Sequence, residues 1–193
     1  MKKTSLENIA ALVSEATEGL RGKSSLIAVE GRCASGKTSL GAVLQNNLGC
    51  PVFHMDDFFL RPEQRTRERL LSAGGNIDYE RFEEEVLKPL RRGTEKVSYR
   101  PFDCGSMSLL APITVEISGT CVIEGSYSCH PELWGYYDLL VFLSVEKEEQ
   151  IKRIIKRNGP EKAEVFKEKW IPMEEKYFSE LDVESRCDMR FRT

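Results

Sequence analysis

The chain has 193 residues, 40% of them hydrophobic and 31% charged, and a formal net charge of −3 at pH 7. That length supports one substantial domain with its own core and is short for two, while the acidic balance argues against a general nucleic-acid coat. No apolar stretch approaches the roughly 20 residues of a membrane span, and the opening MKKTSLEN lacks the apolar core of a signal peptide. The expectation is a cytoplasmic chain with neither a membrane nor a nucleic-acid partner. Its six cysteines, Cys33, Cys50, Cys104, Cys121, Cys129 and Cys187, show no C-x-x-C pairing. They are expected as reduced, mostly buried thiols.

In chain order, helix and strand alternate with no repeat and no low-complexity linker. Thr4-Ser5-Leu6-Glu7 reads as a capping box. It opens a helix whose apolar positions Leu6, Ile9, Leu12, Val13 and Ala16 keep helical spacing to about Leu20. Residues 25–31 (SLIAVEG) form a short apolar run ending in glycine, the pattern of a buried strand, and a helix is expected from Gly36 to Asn47. Residues 51–55 (PVFHM) read as a second strand. A helix over Ile77 to Arg91 carries Phe82, Val86, Leu87 and Leu90 on one face and ends at Gly93. KVSYRPF and PITVEIS alternate like the arms of a hairpin, an insertion over about residues 95–118. TCVIEG (120–125) and LLVFLSV (139–145) read as core strands, and LSAGG (71–75) between the earlier helices reads as a loop. Glu146 to Arg157 is a charged helix closed by Asn158-Gly159-Pro160. A last helical stretch puts Phe166, Trp170, Met173 and Tyr177 on one stripe, with a kink expected at Pro172, and CDMRF (187–191) reads as a final strand. Strands separated by helices imply an α/β fold, a parallel sheet with helices on both faces. Ligands then bind at the carboxyl ends of the strands.

Residues 31–38, GRCASGKT, fit G-x-x-x-x-G-K-S/T completely, between a predicted strand and a predicted helix. Gly31 and Gly36 allow backbone amides to approach phosphate oxygens without a Cβ in the way. Lys37 supplies a point charge for the β and γ phosphates, Thr38 offers a hydroxyl to Mg²⁺, and the helix amino terminus adds its dipole. The expected cradle is Gly31, Ala34, Ser35, Gly36, Lys37, Thr38 and Ser39, for a nucleoside triphosphate with Mg²⁺. No N-K-x-D segment is present to read guanine, which leaves small-molecule and nucleotide kinases.

A kinase also needs a carboxylate near the γ phosphate, an acid for the metal's shell, and cations for the charge that develops during transfer. Asp56 and Asp57 follow one strand, Glu124 ends another, and Arg153 and Arg157 lie four apart on a helix, able to face one way. If strand geometry persists, Asp56 and Asp57 point to opposite sides. Phe58 and Phe59 would then anchor the turn. His54 is expected as a packed strand residue, and the basic run RPEQRTRERL as a solvated loop in preference to a segment that steers an anionic substrate.

The ordered set GRCASGKT, HMDDFF, IDYERF, YRPFD, VIEGSYS and KRIIKRNGP, from about Ser25 to Asp188, resembles the uridine kinases and their relatives, among them nicotinamide riboside kinase, phosphoribulokinase and bacterial pantothenate kinase. The resemblance implies the P-loop nucleoside triphosphate hydrolase fold over residues 1–193, with the hairpin and a helical lid over about 153–172. It implies an ATP-dependent transfer to a ribose 5′-hydroxyl, as in uridine or cytidine. It places the general base at Asp56, a Mg²⁺ or water contact at Glu124, a ribose contact at Asp78, and lid arginines at Arg153 and Arg157. Metal contacts are thus expected at Thr38, Asp56 and Glu124, and acceptor contacts at Asp56, Asp78, Phe102 and Arg153. Uridine kinases usually carry Tyr-Asp and a nearby histidine on the hairpin; this chain has Phe102-Asp103 and Met107. That weakens discrimination for a polar base edge. Another hydroxyl metabolite (nicotinamide riboside, pantothenate or a sugar) stays open as acceptor. So do a non-catalytic nucleotide-dependent regulator and a homo-oligomer.

Overall fold

The computed structural model describes residues 3–20 and 25–193. Helix α1 (Leu6–Glu18), strand β1 (Leu26–Gly31), helix α2 (Lys37–Leu48) and strand β2 (Val52–His54) come first. A 3-10 turn, Met55–Phe58, leads to α3 (Arg67–Leu71) and α4 (Tyr79–Phe82), which runs through a π-helical turn at Glu83–Leu87 into α5 (Lys88–Arg91). Strands β3 (Lys96–Tyr99), β4 (Phe102–Asp103), β5 (Ser108–Leu109) and β6 (Ile113–Glu116) precede β7 (Cys121–Glu124) and β8 (Leu139–Ser144). Then come α6 (Lys147–Asn158), α7 (Pro160–Val165), a second π turn at Phe166–Trp170, α8 (Ile171–Glu180), α9 (Val183–Arg186) and β9 (Met189–Arg192).

Five strands form one wholly parallel sheet in the order β2–β7–β1–β8–β9. Its strands are apolar at nearly every position because both faces are covered. Leu26, Ala28, Phe53, Ile123 and Phe142 point to one face, where Phe82, Val86, Leu87, Tyr177 and Phe178 meet them. Ile27, Val29, Val122, Val141 and Leu143 point to the other, against Ile9, Ala10 and Val13 of α1 and Leu40 and Leu44 of α2.

Several expectations shift by local physics. The cap of α1 is Ser5, whose hydroxyl accepts from the Asn8 amide at 3.3 Å. Thr4 instead donates its amide to the Arg192 carbonyl at 2.8 Å, beside a bridge that joins Lys3 to the sheet edge. The helix read over 77–91 widens into a π turn two residues before Pro89, and the stripe expected to kink at Pro172 widens at Phe166–Trp170, again ahead of the proline. A proline inside a helix has no N–H to donate and its ring meets the carbonyl four residues back; one wider turn relieves both. The hairpin is double. β3 pairs with β6, while Phe102-Asp103 leaves that ladder to pair with Ser108-Leu109. All six cysteines are free, and Cys104 alone among them is exposed. No helix among the described residues is long and apolar enough to cross a membrane.

Glu30 sits wholly buried one residue before the glycine-rich loop. Its carboxyl accepts from the Gly31 amide at 2.8 Å, the Cys129 amide at 3.0 Å and the Tyr177 hydroxyl at 3.1 Å. Burial, opposed by the Lys37 charge and these donors, lifts its pKa from 4.5 to about 7. The folded state therefore holds this proton more tightly than the unfolded chain, and stability falls as pH rises from about 4.5 to about 7. Denaturant melts across that window are expected to lose on the order of 2–3 kcal/mol in the wild type. The slope should be much flatter in Glu30→Gln; equal slopes would mean that the group does not titrate there.

Candidate active site

The loop between β1 and α2 is shaped by a close approach. Gly31 has φ +146°, and a Cβ built there would lie 2.0 Å from the Leu143 carbonyl oxygen of β8. The absent side chain thus lets strands β1 and β8 close on each other, and the Arg32 amide donates to the same Leu143 carbonyl at 3.0 Å. Ala34 adopts a left-handed φ of 58°, and Gly36, at φ 99°, caps α2. The Lys37 ammonium is held over the loop by the carbonyls of Gly31 (2.6 Å) and Arg32 (3.1 Å). Ala34, Ser35, Gly36, Lys37, Thr38 and Ser39 line a cleft of about 1300 Å³ at the carboxyl edge of the sheet; Gly31 lies behind it.

The carboxylates reach this cleft through strand register. β2 pairs with β7 so that His54 stands opposite Glu124. Gly125 has φ +138°, and a Cβ there would come within 2.9 Å of the Met55 Cβ. Its absence lets the 3-10 turn fold over the end of β7, which brings Asp56 beside Glu124. Glu124 is buried; both of its oxygens lie 3.2 Å from the Thr38 hydroxyl, and Oε1 lies 2.6 Å from His54 Nδ1. His54 is therefore no packed strand residue. It is exposed, and its hydrogen bond to Glu124 raises its pKa.

Asp56 faces the open space of the cleft, yet protein surrounds it closely enough that burial raises its pKa. Lys37 pulls in the opposite direction, and Glu124, Glu174 and Asp57 add to the rise. Asp57 has a different environment. Its Oδ2 accepts from the Tyr99 hydroxyl at 2.9 Å, and its carbonyl accepts from Arg81 at 2.9 Å. The two acids part company, but by a 3-10 turn rather than by strand alternation. Phe58 anchors that turn between Phe82 and Tyr99, with ring centroids 4.8 and 5.1 Å away, while Phe59 lines the cleft.

Helix α8 grips the loop from outside. Glu174, buried, accepts from the Cys33 amide at 2.8 Å and from the Ser126 hydroxyl at 2.6 Å. Arg32 pairs with Glu175 at 2.8 Å and with Glu184 at 3.0 Å. Glu174 is a site residue that sequence reasoning missed; its signal is an acid three residues before Tyr177, on the core-facing side of an apolar stripe.

Arg153 and Arg157 both line the cleft, at the end where the glycine-rich loop lies. Arg153 is committed to Glu149 (3.0 Å), the Ala34 carbonyl (3.2 Å) and the Thr193 hydroxyl (2.9 Å), a bracing position against the loop. Arg157 donates to Asn158 at 2.8 Å and to the Cys33 sulfur at 3.7 Å. Asp78 and Phe102 do not line the cleft. Asp78 is buried, caps α4 by accepting from the Arg81 amide at 3.2 Å, and pairs with Arg81 Nε at 3.4 Å. Phe102 is buried beneath Arg65. Among the described residues there is no cluster of three or more His, Cys, Asp or Glu side chains that could hold a metal ion alone.

No protein-family model matches the chain, and no curated protein sequence does. Solved structures do match in fold. A protein provisionally described as a uridine kinase from Bacillus stearothermophilus superposes with a TM-score of 0.69 at 21% identity, over 97% of this chain and 100% of that one. One provisionally described as a fructose transport system kinase from Silicibacter sp. TM1040 gives 0.73 at 22% identity, over 97% and 99%. D-glycerate 3-kinase from Cryptococcus neoformans gives 0.61 at 15% identity, over 87% and 86%. At these identities the likeness is one of fold: the chain shares the architecture of these three proteins.

Proposed function

We propose that the protein is an ATP-dependent kinase that phosphorylates the hydroxyl of a small metabolite. The convergence of Asp56, Lys37, Thr38 and Glu124 on one cleft carries this reading. A regulator that only bound nucleotide would have no use for an acid poised opposite the loop lysine. Thr38 and Glu124 would hold Mg²⁺: their oxygens, 3.2 Å apart, are hard donors, and an ion that keeps several waters needs only one or two protein oxygens. When bound, the ion neutralises charge on the phosphates. Arg157, with no carboxylate partner among the described residues, is available to the same charge.

Asp56 would accept the acceptor's proton as the hydroxyl oxygen bonds to the γ phosphorus and the bond from that phosphorus to the ADP oxygen breaks. Its raised pKa brings the base nearer to working pH. Phe166, Trp170 and Met173 wall the cleft with apolar surface and would keep water from competing for the phosphoryl group.

The 5′-hydroxyl of a nucleoside such as uridine or cytidine is one acceptor within this class. The wall of the cleft favours a second reading, another hydroxyl metabolite. Met107 and Cys104 are what the hairpin turns toward the cleft, and Asn76 is engaged with Tyr127.

A coupled ADP-release assay over nucleosides, vitamins and sugars tests the activity. Asp56→Asn is expected to lower kcat roughly 100- to 10,000-fold. Asp57→Asn keeps an acceptor for the Tyr99 hydroxyl and should stay within about tenfold of wild type. Equal losses would remove the assignment of the base. Glu174→Ala, which strips the Cys33 amide of its partner, is expected to raise the KM for ATP on the order of tenfold; an unchanged value would show that α8 does not shape the loop.

A further inference from the structure

One cation at the acceptor end of the cleft has no part in the transfer just described. Arg65 follows the short 3-10 turn Pro62–Gln64, and its side chain lines the cleft. Its Nε donates to the Leu60 carbonyl at 2.9 Å, and the guanidinium lies 5.7 Å from the centroid of the buried Phe102 ring. Neither contact supplies a negative charge. Of its neighbours in the same basic run, Arg61 pairs with Glu63 and Asp78, Arg69 grips both oxygens of Glu80, and Arg67 does not line the cleft. Arg65 has no carboxylate partner among the described residues. Nor has Lys169, which reaches the cleft from the lid with its ammonium 4.5 Å from the Trp170 ring centroid.

The placement matters as much as the charge. Cys104, on the turn between β4 and β5, feels both the Arg65 and the Asp56 charges. A molecule whose hydroxyl sits at Asp56 shares one cleft wall with Cys104 and the guanidinium. A guanidinium held on an aromatic face, its Nε already fixed, presents its remaining N–H groups in the fork that carboxylates and phosphates match.

We propose that the acceptor carries an anionic group, a carboxylate or a phosphate ester, which Arg65 binds and Lys169 supports from the lid. A neutral nucleoside offers nothing to either cation. The inference rests on the kinase reading, and its tests separate the two.

The first test needs no knowledge of the acceptor. Cys104 is alkylated at low salt with iodoacetate, which is anionic, or with its neutral counterpart iodoacetamide, and the modified peptide is quantified by mass spectrometry. The iodoacetate to iodoacetamide rate ratio at Cys104 is expected to exceed that of free cysteine severalfold. It should fall to the free-cysteine value in Arg65→Ala and Arg65→Gln, and in wild type with added inorganic phosphate. A ratio no higher than that of free cysteine, or one unchanged in both variants, overturns the proposal.

The second test compares hydroxycarboxylates with the matching neutral alcohols, and sugar phosphates with their parent sugars, in the ADP-release assay. One anionic series should be favoured in kcat/KM by roughly tenfold or more and lose that margin in Arg65→Ala; which series wins identifies the group. Neutral acceptors that turn over better, with no effect of Arg65, would overturn this inference and leave the kinase standing. A retained anion preference at Cys104 without ATP turnover on any acceptor would support the anion site and overturn the kinase.

Discussion

Everything at the site depends on how closely β1 can approach β8 at Gly31. The Leu143 carbonyl occupies the space of the missing side chain, so the sheet stays tightly paired up to its last residue and the loop leaves it at a fixed angle. Any L side chain there would have to displace a backbone carbonyl inside the sheet, where nothing can yield cheaply. Gly125 repeats the device just past the end of β7, admitting Met55 where a Cβ would stand. Two missing side chains, at the ends of strands that pair with each other, thus set the loop lysine and the acid turn against one cleft.

The second constraint comes from outside the sheet. Glu30, Arg32 and Cys33 each bond to residues of α8 or just beyond it. The ion pairs of Arg32 are partly exposed and contribute little to stability. The buried bonds of Glu174 and Glu30 matter more, since an unpaired amide or carboxyl in their place would cost about 1–3 kcal/mol. The backbone amides of the glycine-rich loop are thus held in place by a helix that also walls the cleft.

Much of this was legible in the residues. The parallel sheet announced itself through uninterrupted apolar runs, since a strand buried on both faces has no polar alternate. The loop motif marked its own strand and helix, and the unequal fates of Asp56 and Asp57 were expected. The mechanism behind that inequality was not, because a 3-10 turn and a strand end look alike over four residues. His54 was misread since a lone histidine on a short strand carries no mark of its cross-strand partner; the register that places it opposite Glu124 joins residues 70 apart. Asp78, which the family resemblance places at a ribose contact, is engaged in the structure by the Arg81 amide and guanidinium. Arg65 was hidden among like residues; the pairing of Arg61 and Arg69, and the position of Arg65 rather than Arg67 on the cleft wall, distinguish it.

The π turn at Phe166–Trp170 bears on how the helical wall of the cleft is phased. In a regular helix each residue advances the face by about 100°, so a single apolar stripe must serve one surface. The extra residue in the wide turn resets that count. Phe166 and Trp170 before Pro172, and Met173 after it, turn to the cleft, while Glu174 and Tyr177 reach the loop and the core. One continuous helical segment thus serves both surfaces, the wall of the cleft and the strand that holds the loop, and the two meet at Met173 and Glu174. A shift of this rod would move the cleft wall and the brace of the loop together.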